Sequence, residues 1–172
     1  MKTVNFVLGL GIALTLATMF AAEPERSSTA TAKEIAFIKK AADGGMTEVE
    51  LGKLAVQNGQ RDDVKQFGHQ MIADHGKANE NLKSVASKLV VTVPEKVSEK
   101  HQGMIDKMSK MLDTAFDTRY IEDMVADHEK DIAEFENARD EVTSEDLKKF
   151  IDETIPVMKE HLEMAKQMKA AK

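Results

Sequence analysis

Three histidines and one glutamate carry the chemistry open to this chain. His75, His128 and His161 recur in apolar seams of helical spacing, each where a leucine would pack as well. Glu48 interrupts a stripe of small residues, Ala41, Gly45, Gly52 and Ala55, so that the five positions repeat at 4-3-4-3 spacing. Imidazole nitrogens with one carboxylate suit zinc, copper or iron, which makes these four residues candidate ligands of a divalent metal. Asp74 and Asp127 stand immediately before two of the histidines, where they can orient ring nitrogens by hydrogen bonding. A buried carboxylate without a cation or donors is costly, so Glu48 needs a partner. The bland alternative is a hydrogen-bonded polar layer in a helical core. That version belongs to an envelope interaction or stress-protective protein that binds no metal. His69 lies off its seam and His101 lies in the polar stretch Ser98-Glu99-Lys100-His101-Gln102, so both are expected to be solvated.

The remaining composition mostly excludes. With no cysteine among 172 residues, there is no thiolate metal site, disulfide, thiol nucleophile or iron–sulfur cluster. A net charge of −6 and 5% aromatic residues argue against a nucleic-acid partner, whose binders carry basic patches and stacking rings. Nucleophile elbows, phosphate loops and dinucleotide fingerprints are missing from the chain after its first apolar run. Carboxylate di-iron bundles use two Glu-x-x-His motifs and this chain has none, so oxygen activation at such a centre is not expected. The chain therefore reads as non-enzymatic. Met104, Met108 and Met111 share a helix face and could offer thioethers to copper(I). Met71, Met124, Met158 and Met168 instead occupy ordinary seam positions, where methionine fills irregular cores.

The elements that must position these residues begin after an export signal. Met1-Lys2-Thr3 precedes the apolar run Val4–Ala22, and a polar, proline-punctuated stretch follows it. This is the layout of a secretory signal, so residues 1–22 are read as a signal peptide and 23–32 as a disordered linker. Residues 33–169 form the bundle domain. Cleavage after Ala22 would place Phe20 where a small residue is preferred. The alternative is an uncleaved N-terminal membrane anchor, since about 17–20 apolar residues can span a bilayer. No cysteine follows the run, so a lipid anchor on cysteine is excluded. The expected address is the periplasm or outer envelope.

The bundle domain is expected to be all-α. Spacing predicts long helices over Lys33–Asn58, from an Asp62 N-cap to Leu89, over Phe116–Arg139, and from a Thr143 or Ser144 cap to Lys169. A shorter amphipathic segment covers Lys96–Leu112, beyond the break at Val90-Val91-Thr92-Val93-Pro94. Two hairpins joined by a long crossover with its own short helix give a ferritin-like four-helix bundle. A plain up-down-up-down arrangement competes with it. Met71-Ile72-Ala73-Asp74-His75 recurs as Met124-Val125-Ala126-Asp127-His128. If the two helices carrying this echo are parallel, His75 and His128 share one level.

The stretch Ala41-Ala42-Asp43-Gly44-Gly45-Met46-Thr47-Glu48-Val49-Glu50-Leu51-Gly52-Lys53-Leu54-Ala55 resembles the opening helix of the domain of unknown function 4142. Phe67 through Asp74-His75, Phe116-Asp117-Thr118-Arg119-Tyr120, Asp127-His128, Ile155-Pro156 and His161-Leu162 are similar to its later marks, in order. The resemblance spans residues 33–169 and implies an exported bacterial protein with a ferritin-like bundle. It carries no established reaction. Glu48, His75, His128 and His161 match characteristic polar positions of that family.

Overall fold

Residues 29–171 are described by the computed structural model; the expected signal peptide and most of the linker lie outside them. The described chain forms α1 (Ala32–Asn58), α2 (Asp62–Lys88), α3 (Glu99–Met108), α4 (Asp113–Glu141) and α5 (Glu145–Ala170). No strand occurs among the described residues, and none of the described helices is long and apolar enough to cross a membrane.

Helix starts follow from capping chemistry, although one cap differs from expectation. Thr31 and Glu34 form a reciprocal capping box, so the first helix takes up the end of the expected linker. Ser144 caps α5 by accepting from the Leu147 amide. Asp62 is not the N-cap of α2; Arg61 holds that position and its side chain makes no capping bond. Asp117 of α4 accepts from the Gln60 and Arg61 amides just before the helix, at 3.0 and 2.9 Å. Asp117 thus holds the turn that precedes α2, while within the first turn the Val64 amide donates to Asp63 Oδ1 at 2.9 Å. α2 stops in a Schellman arrangement, Val91 N donating to Ala86 O at 2.8 Å and Val90 N to Ser87 O at 3.1 Å. Val90 takes the left-handed conformation there, at φ 57°.

Contacts at the two ends settle the topology. At one end, Asn58 donates to the Ser109 and Met111 carbonyls, Arg61 reaches the Met168 carbonyl, and Asp117 holds the α1–α2 turn. The C-termini of α1, α3 and α5 therefore meet the N-termini of α2 and α4. At the other end, Glu34 accepts from Thr143 and Ser144, and Lys88 pairs with Asp146. Thus α2 and α4 run parallel, with α1 and α5 pointing the opposite way. The crossover returns along the bundle through α3, which packs on α1 and α4. This is the two-hairpin connectivity, and it excludes the plain up-down-up-down alternative.

Two apolar clusters build the core. One contains Leu51, Phe67, Met71, Phe116, Tyr120 and Met124; the other contains Ile38, Leu82, Leu147 and Ile151. Each fully buried aliphatic or aromatic side chain contributes about 1.5–3 kcal/mol of transfer free energy. His75 falls between Met71 of the first cluster and Ala78, which packs against the second. The small-residue stripe of α1 does what its spacing suggests. A Cβ on Gly52 would lie 2.9 Å from Gly68 O, and one on Gly68 would lie 2.7 Å from Gly52 O. The α1–α2 backbones meet at these two glycines.

Candidate metal centre

Parallel α2 and α4 bring the repeated Asp-His pairs to one level, and α5 adds the third ring. One ring nitrogen from each of His75, His128 and His161 lies within 4.8 Å of the other two. Ring centroids are 5.8 Å apart for His75–His128, 5.4 Å for His75–His161 and 5.5 Å for His128–His161. Phe67 abuts the group edge-on, its ring centroid 5.9 Å from that of His161. His161 and His128 are buried, and His75 is half-buried.

Hydrogen bonding decides which nitrogens remain available. His128 Nδ1 lies 2.9 Å from the Met124 carbonyl. A carbonyl only accepts, so Nδ1 carries the hydrogen and the Nε2 lone pair is left. His161 Nε2 lies 2.9 Å from Asp74 Oδ2. That nitrogen donates to the carboxylate, leaving Nδ1. The remaining atoms, His128 Nε2 and His161 Nδ1, are buried without a hydrogen-bond partner, as is His75 Nε2. Buried ring nitrogens are normally satisfied. Three orphaned ones on neighbouring rings form a ready set of imidazole ligands, two of them already oriented through the opposite nitrogen as in carboxylate–histidine–metal triads.

Burial disfavours the charged form of two of the rings. Burial, then His128 and His161, hold the His75 imidazole well below its ordinary 6.5. Burial and His161 lower His128 to about 4, against the opposing effect of the Met124 carbonyl. Neutral imidazole is the form that binds metal. Metal–nitrogen bonds of about 2.0–2.1 Å put tetrahedral ligand atoms about 3.4 Å apart, so ligation of an ion here would need these rings to close by up to about 1.4 Å from their separation of up to 4.8 Å.

The other expected site residues occupy different places. Asp74 does orient a ring, but that of His161 on α5 rather than its neighbour His75. Glu48 is outside the three-histidine group. It lines an adjoining cavity of about 410 Å³, together with His75, Asp127, Asp131, Asn79 and His101. Glu48 is 5% exposed, and its Oε2 has no hydrogen-bond partner. Burial raises its carboxyl well above 4.5, and Asp127, Asp131 and Asp123 raise it further. Asp127 faces this cavity and makes no hydrogen bond to the histidine group among the described contacts. A second cavity of about 380 Å³, between α2 and α5, reaches His75 and His161 from the other side.

His69 is exposed as expected, whereas His101 is not simply solvated. Its Nδ1 lies 3.0 Å from Asp43 Oδ2, and Asp43 also accepts from the Ser98 amide. This pair ties the crossover to α1, and no local pattern around either residue announced it. Tyr120 was legible only as a seam residue, yet its hydroxyl is buried with no partner. Burial, and then Glu48, hold that hydroxyl well above its ordinary 10. Asp117 and Glu34 are likewise structural acceptors whose partners lie on distant segments.

No match was found among curated proteins or among solved structures. A family model, described as a domain of unknown function (DUF4142), matches residues 19–168, which include every helix but the last two residues of α5. The chain, with its histidine-lined helical bundle, belongs to the DUF4142 family.

Proposed function

We propose that this protein is an exported helical bundle that binds one divalent metal ion, of the zinc, copper or iron class, through His75, His128 and His161. The observation that carries the proposal is the set of three buried ring nitrogens without partners, two of them on rings fixed by Met124 O and Asp74. A polar layer serving only the core would pair these atoms with one another or with backbone, because each orphaned buried group costs about 1–3 kcal/mol. Three imidazoles leave a fourth coordination position free, and the two cavities touching His75 give it a route to solvent. Glu48 and Asp127 form the wall of that approach. Residues 1–22 act as the signal peptide, delivering the bundle to the periplasm or outer envelope.

Metal analysis of tag-free protein tests this. The expected result is one ion per chain, lost in His75→Ala and in His128→Ala. Metal added at 100-fold over its dissociation constant should stabilise the fold by ~2.7 kcal/mol. Protein that purifies without metal and melts at an unchanged temperature with zinc, copper or iron would instead establish the structural polar layer.

A further inference from the structure

The internal echo exposes an asymmetry. Asp74 and Asp127 hold the same place in the repeated Met-x-Ala-Asp-His segments of the parallel helices α2 and α4. Asp74 reaches across to α5 and finds a histidine, His161, at 2.9 Å. Asp127 faces the cavity against α1, and the residue that α1 contributes there is another acid, Glu48.

Most charges lining this cavity are already paired. Asp43 accepts from Ser98 N at 2.6 Å and lies beside His101. Glu134 is paired with Lys40 at 2.7 Å, and Asp131 with Lys130 at 3.5 Å. Glu48 and Asp127 make no ion pair among the described residues, although Lys130 and His101 favour the Asp127 carboxylate at longer range and Lys100 also lines the cavity. Glu48 adds the independent observation of a carboxylate oxygen enclosed in protein, with no hydrogen-bond partner. Two carboxylates and the amide of Asn79, around a space large enough for an ion with several waters, make an oxygen-donor set. Gly45 on α1 leaves room for the Asn79 amide of α2, whose Oδ1 would lie 2.1 Å from a Cβ at that position.

We propose that Glu48 and Asp127 hold a second divalent cation, of the hard oxygen-preferring class of Mn²⁺ and Mg²⁺, in the cavity between α1 and α4. This site is separate from the histidine centre in ligand chemistry, since carboxylate, carbonyl and water oxygens select such ions over the softer ones that imidazole prefers. It stands whether or not the histidines bind a metal.

Mn²⁺ is the probe. The metal-stripped protein is titrated with Mn²⁺, and loss of the free-ion paramagnetic resonance signal reports binding. Paramagnetic broadening of assigned side-chain resonances locates the ion. One bound Mn²⁺ is expected, broadening Asn79 and His101. Glu48→Gln and Asp127→Asn should each weaken it ~tenfold or more, while His128→Asn leaves the affinity within about twofold. Melting curves check that each variant folds, and the two carboxylate variants are independent of one another. The proposal is overturned if no Mn²⁺ binds at about 1 mM, or if both carboxylate variants bind it unchanged. It is equally overturned if His128→Asn abolishes binding, because the ion would then occupy the histidine centre.

Discussion

Two glycines on the same helix should respond to alanine with opposite signs. At Gly68 the new methyl would lie 2.7 Å from Gly52 O and 2.8 Å from Ala55 Cβ, and 3.3 Å from Val56 Cγ2. Carbon contacts are comfortable at about 3.5–4.0 Å, so α1 and α2 must separate by close to 1 Å. The first two obstacles are backbone and a Cβ, which cannot rotate aside. Overpacking of this kind costs about 1–3 kcal/mol. Replacing glycine by alanine inside a helix returns about 1 kcal/mol of propensity, which leaves Gly68→Ala a net loss of up to about 2 kcal/mol. At Gly76 nothing lies within 4 Å of the added methyl. There the propensity term acts alone, and Gly76→Ala should gain up to about 1 kcal/mol. Thermal unfolding followed by far-ultraviolet circular dichroism reads both, with shifts of roughly 2–4 °C per kcal/mol for a domain near this size. Gly68 lies two turns before His75, so the same variant should also weaken metal binding at the histidine centre. Equal stabilisation by both alanines would refute the close α1–α2 approach, and with it the reason for the small-residue stripe.

Three further outcomes follow from the same structure. Val90→Gly should stabilise the fold by about 1 kcal/mol, because it relieves a left-handed β-branched residue at a Schellman position, and the 73% exposed side chain gives up little burial; an unchanged urea midpoint would contradict this. Burial opposes ionisation of Glu34, but hydrogen bonds from Thr31, Ser144 and Thr143 prevail and lower its carboxyl from 4.5 to about 2. Its folded value is the depressed one, so about 3 kcal/mol of stability is present above pH 4.5 and is lost as pH falls toward 2. Acid unfolding of Glu34→Gln should lack that component, and a wild-type pH dependence in the variant would count against it. Asp74→Asn should reduce metal affinity at the histidine centre about 10–100-fold while the chain stays folded, measured by competition with a chelating dye. No change would mean that the His161 hydrogen bond does not tune the ligand.

Periodicity alone determined a great deal about this protein. Apolar spacing defines five helical segments, Pro94 and the valines before it mark the break, and the Thr143-Ser144 pair marks the start of the last helix. These are local effects, because capping and one-sided burial are decided within a few turns. His75, His128 and His161 were legible as inward residues for the same reason: each replaces an apolar residue in a seam. Only the tertiary structure decided which polar groups meet. The parallel run of α2 and α4 sets the histidines at one level, Asp74 crosses to His161 rather than to its neighbour, and Asp117 of α4 holds the turn before α2. Glu48 stood out in the sequence as a carboxylate in a small-residue stripe, and the packing of the helices placed it in a cavity that Asp127 also lines, beside the imidazoles. Spacing along a helix fixes the face on which a side chain lies. Its partner depends on helix direction and axial register, which are set by the packing of distant segments.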